Sequence, residues 1–196
     1  MPSGAEVQEH LTGVWRIMTG RADGFKMLDL SVDGFWNSFF AIVVALPALV
    51  VGWVGIANDM AGMLTFELRL SLLLRLFLAD IGAWILPLVV LAVAARPAGI
   101  ANRFVHYVVA SNWASAIFAW LMLPPALLRM FMPSAGELIV LVSLLLFVAT
   151  LVLSWRVTVA AIARGPSVGS AVFFAMLVTS IGVLMSLQAL LGLDIQ

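Results

Sequence analysis

Cysteine is absent from these 196 residues, which excludes disulfides, thiolate zinc sites, a cysteine nucleophile and thiol redox chemistry. Charge is nearly as scarce. Ten basic and ten acidic side chains make up 10% of the chain, against about 25% in an ordinary soluble domain. So few charges cannot supply both the charged helix faces and the polar loops that a fold of this length needs in water. The two signs cancel to a net charge of zero, implying neither a nucleic-acid partner nor a strongly basic lipid-binding tail. Lysine occurs once, at Lys26, and the other nine basic residues are arginine, a bias that points to a GC-rich bacterial genome. There is no Walker loop, no dinucleotide fingerprint and no zinc-spaced histidine cluster, since His10 and His106 are the whole histidine complement. No cofactor is expected.

Apolar residues, by contrast, reach 64%. A helix crosses the hydrocarbon layer with about 20 apolar residues, because lipid offers the backbone no hydrogen-bond partner and the helix must satisfy itself. Five stretches qualify, at 35–54, 76–95, 104–123, 138–157 and 168–187. The breaks between them are Asn58-Asp59, Arg96-Pro97 with Gly99, Pro124-Pro125 followed by Arg129 and Pro133, and Arg164-Gly165-Pro166. The fold class expected is all-α, a polytopic transmembrane bundle of about five spans with a short N-terminal interfacial helix. Residues 1–33 form a polar cytoplasmic segment, 34–190 the membrane domain and 191–196 a short non-cytoplasmic tail.

No long apolar run precedes Phe35, so a cleaved signal peptide is not expected. Within the first segment Val7, Leu11, Val14, Trp15 and Met18 recur at helical spacing, with Glu6, Glu9, His10 and Arg16 around them. Such a helix either packs onto the bundle's end or lies in the headgroups. Orientation follows from the short loops. With the N-terminus inside, that side holds Arg16, Arg21, Lys26, Arg96, Arg103, Arg156 and Arg164, and the other only Arg69, Arg75 and Arg129. The expected setting is a bacterial inner membrane with the N-terminus cytoplasmic and the C-terminus outside. Trp36, Trp53, Trp120 and Trp155 lie towards span ends, where an amphipathic indole suits the interface, and Trp113 lies deeper.

Asp80 is the most informative side chain, because a carboxylate at the centre of a span costs about 2.5–3.5 kcal/mol on insertion scales, and less near its end. Arg75, five residues earlier, is about 140° around the helix and does not share its face. A partner on another helix is therefore expected, with an interhelical clamp favoured over an ion or proton site. Ser111, Asn112 and Ser115 occupy the middle of the third span beside Ala110 and Ala114. Small residues four apart let backbones approach, and the amide hydrogen-bonds across the contact for about 1 kcal/mol, so this span is expected to be central. His106, beside Arg103 near the start of that span, reads as an interfacial histidine rather than a relay.

Trp36-x-Ser38 before Leu46-Pro47-Ala48 is echoed 77 residues later by Trp113-x-Ser115 before Leu123-Pro124-Pro125. The second and fourth spans carry no such echo, which favours coincidence over duplication. Gly165-Pro166-Ser167-Val168-Gly169 spells the G-x-S-x-G nucleophile elbow. That elbow follows a strand, whereas an apolar helix precedes this one.

The layout of polar N-terminus, five closely spaced spans and short end, with His106-Tyr107 running into Asn112-Trp113, resembles the Yip family of five-span membrane proteins. The resemblance implies a membrane partner of other proteins. Eukaryotic members serve small GTPases in vesicle traffic, and bacterial relatives lack that setting. The function expected is a non-enzymatic scaffold or accessory subunit of a membrane complex. The alternative is a small transporter or channel component with a polar path through Asp80, Arg75 and Asn112. Partners expected are the lipid bilayer and, within it, a second copy or another membrane protein.

Overall fold

The computed structural model describes residues 1–59 and 65–193. Asp194 to Gln196, half of the expected tail, lie outside that description. Among the described residues there is no strand, and five helical segments are long and apolar enough to cross a membrane. The protein is an integral membrane helix bundle.

α1 (Gly4–Met18) opens on a capping box. The Glu6 backbone N–H donates to the Ser3 hydroxyl (3.3 Å) and the Ser3 N–H donates to the Glu6 carboxylate (2.6 Å), satisfying two otherwise orphaned donors. A 3-10 turn (Ala22–Met27) folds back on α1 where Gly13 and Gly24 meet backbone to backbone. A Cβ on either residue would enter the other's carbonyl, so only glycine permits this approach. α1 packs against α5 and α7, with Val14, Ile17 and Met18 fully buried. Packing onto the bundle is thus its arrangement. Trp15, grouped with the apolar face in the sequence, is 49% exposed. At 100° per residue it lies at the edge of the stripe that Val14 and Met18 define, and Ile17 fills the contact.

The first span divides into α2 (Val32–Asn37) and α3 (Phe40–Asp59), which runs five residues past the expected boundary at 54 and ends at the Asn58-Asp59 break. α4 (Phe66–Ala94) begins ten residues before the expected boundary at 76. α5 (Phe104–Leu121) is followed by short α6 (Leu123–Phe131), then α7 (Gly136–Ile162) and α8 (Pro166–Leu190). α5 is central, burying Tyr107 to Ala110, Asn112 to Ala114, and Ala116. Beside it α3, α4, α8 and α7 follow one another by packing, and short α6 packs on both α3 and α7. The G-x-S-x-G letters fall at the α7–α8 turn, where Gly165 has φ 88° and Pro166 starts α8. Helices flank the serine on both sides and the hydroxyl-bearing residue is exposed.

Candidate functional site

The polar side chains of the spans are held by indoles. Asn112, fully buried, accepts from Trp84 Nε1 at 2.9 Å and donates from Nδ2 to Ser38 Oγ at 2.8 Å. An indole can only donate, which fixes the orientation of the amide. Ser38 passes the chain on by donating to the Phe35 carbonyl (2.7 Å), so one asparagine links α2, α4 and α5. Trp53 Nε1 of α3 donates to Asp80 Oδ2 of α4 at 2.6 Å. Trp120 Nε1 of α5 donates to the Val44 carbonyl at 2.9 Å, and Trp155 Nε1 of α7 to Ser170 Oγ of α8 at 2.9 Å.

Two cavities adjoin these contacts. The inner one, of about 180 Å³, lies among α4, α5, α7 and α8 and carries Ser111, Asn112, Ser115, Tyr107, Thr158 and Ser180 on its walls. That space is ample for water, and its hydroxyls supply the partners water needs. The outer one is a more open groove of about 600 Å³ among α3, α4, α5 and α7, and Asp80 lies on its wall. Ala83, Trp84, Ser115, Phe118, Leu151 and Ser154 line both. Pro87, on the inner wall, has no N–H to offer the Ala83 carbonyl, so α4 lacks that helical bond where the cavities adjoin.

The structure therefore sets Ser111, Asn112 and Ser115 on the inner cavity and Asp80 on the adjoining outer groove, which Ser115 also lines, and leaves two candidates out. Arg75 turns away and donates to the Leu191 carbonyl just past α8 (3.2 Å), where it caps that helix and marks the far edge of the bundle. Asp80 lies five residues inside that edge, about 7–8 Å deep at ~1.5 Å per residue. His106 faces Phe25 (ring centroids 6.2 Å apart) and lines neither cavity. On the α1 side the His10 ring lies tilted against the buried Trp113 ring, centroids 5.0 Å apart. Trp84, Ser154, Thr158 and Ser180 were not singled out in the sequence, and Ser38 and Tyr107 drew notice there only for the internal echo and the family resemblance. Single hydroxyls in apolar helices satisfy themselves on the preceding turn, as Thr158 does on the Ser154 carbonyl (2.9 Å), and carry no periodic signal.

Comparisons with protein-family models, curated proteins and solved structures found no match for this chain.

Proposed function

We propose that the chain is a small membrane carrier or channel component, whose solute passes between the outer groove at Asp80 and the adjoining hydroxyl-lined inner cavity. The observation that supports this is the shared wall. A bundle that used Asp80 and Asn112 only for packing would seal each between helices, whereas here both border cavities with six lining residues in common. In this reading α1 closes the path on the cytoplasmic side of a bacterial inner membrane, the orientation that the arginine asymmetry favours. The scaffold reading, and with it the Yip-type layout, draws support from the long apolar flank of α7, where Val140, Leu144, Leu145 and Val148 stand exposed. Hydrocarbon covers that flank as well as a partner does, so the cavities carry the greater weight.

The cysteine-free sequence makes the test direct. Ser115→Cys and Ser154→Cys should react with a charged, membrane-impermeant thiol reagent in sealed vesicles. Lipid-facing Val178→Cys should not react, and loop residue Ser134→Cys sets the full rate. Silence at both cavity positions in either vesicle orientation would remove the carrier reading and return the scaffold to first place.

A further inference from the structure

We propose that the outer groove binds an amphipathic organic cation, with the Asp80 carboxylate as its counter-ion. This rests on the reading of a solute chamber and names what the chamber takes. Among the described residues, Asp80 is the only charged one on the wall of either cavity. Its one protein partner among the described residues is Trp53, which occupies a single acceptor position on Oδ2. A carboxylate has about four such positions, so most of its accepting capacity is left to whatever enters the groove. The nearest basic group in sequence, Arg75, is engaged at the end of α8. A negative charge in an otherwise uncharged intramembrane groove repels anions and leaves a favourable place for one positive charge.

The remaining walls choose among cations. A bare metal ion wants six or more oxygen ligands, and one carboxylate beside scattered hydroxyls does not provide them. A volume of about 600 Å³ is that of a small-molecule site. Trp53, Trp84, Phe118 and Phe147 place four aromatic rings on the groove. Aromatic faces attract an ammonium or phosphonium group and bury the apolar substituents it carries. Ser115, Thr150 and Ser154 add the only side-chain hydroxyls.

The full-length protein in lipid nanodiscs is titrated calorimetrically with tetraphenylphosphonium and, separately, with its anionic isostere tetraphenylborate, empty nanodiscs correcting for partition. The cation should bind saturably and Asp80→Asn should weaken it at least tenfold, while the anion shows no Asp80-dependent binding. Asp80→Glu keeps the charge and should recover most of the cation affinity that Asp80→Asn loses, a readout that stands even if Asp80→Asn folds poorly. Equal affinity for cation and anion, or cation binding indifferent to Asp80→Asn in folded protein, overturns the proposal. If that happens while Ser115→Cys still reacts with the thiol reagent, the chamber stands and only its substrate class is wrong. If the thiol is silent as well, both readings fall together.

Discussion

Replacing Asn112 by leucine keeps the volume of the side chain and removes both of its hydrogen bonds. The Trp84 N–H then loses its acceptor in a partly buried setting on the cavity wall, because the amide oxygen 2.9 Å away was its partner. Ser38 loses the donor at 2.8 Å but still donates to the Phe35 carbonyl, so its penalty is smaller. An orphaned buried donor costs about 1–3 kcal/mol. Interhelical polar contacts inside membranes average about 0.6 and reach about 1.7 kcal/mol. Together these place Asn112→Leu at about 2 kcal/mol of destabilisation, a fall of several degrees in midpoint in detergent. Trp84→Phe keeps a ring on the cavity wall while removing the donor, so the double variant should cost about 1 kcal/mol less than the sum of the singles. A cycle with no coupling, or an Asn112→Leu protein as stable as the parent, would refute the assignment of this amide as the link between α2, α4 and α5. Unchanged stability with loss of solute flux would instead make Asn112 part of the path.

Four further outcomes are expected. Reporter fusions should be active in the cytoplasm at Ser3 and inactive there at Gln196, since five crossings put the ends of the chain on opposite faces; cytoplasmic activity at Gln196 would mean a miscounted span. Gly24→Ala sets a Cβ into the Gly13 carbonyl and should destabilise the docked N-terminal segment by about 1–3 kcal/mol, read as faster proteolysis of α1. His10 has its pKa held below the ordinary 6.5 by burial, against the pull of Glu9, Asp29 and Glu6, and its Nδ1 is buried without a hydrogen-bond partner among the described residues. The folded state therefore prefers neutral imidazole, so docking of α1 is at full strength above about pH 6.5 and weakens as pH falls towards the lower folded value; His10→Phe should flatten that slope in protease-access measurements at pH 7.5 and 5.5. Asp80→Leu should be less stable than Asp80→Asn, because it strands the Trp53 N–H that the amide still accepts; equal melting points would argue against the Trp53 contact.

Length and polarity were readable from residues alone because a membrane span is a local property: each helix satisfies its own backbone, and about 20 apolar residues announce it wherever it packs. The central position of α5 was readable too, since Ala110 and Ala114 beside Ser111, Asn112 and Ser115 are what a helix needs to be approached from several sides. Asp80 could be seen to need a partner, but not which one. Trp53 is 27 residues away on another helix, and an indole near a span end serves the headgroup region as readily as a carboxylate. The same ambiguity concealed the tethers made by Trp120 and Trp155. Docking of α1 hinges on the contact between Gly13 and Gly24, two glycines that could equally have been ordinary turn residues. Least legible were the cavities, because a void is set by how side-chain volumes from four or more helices fail to fill one space. No helix carries that information by itself. Composition thus determined that the chain lives in lipid, and only the packing of α3, α4, α5, α7 and α8 decided that Asp80 and Asn112 border adjoining cavities.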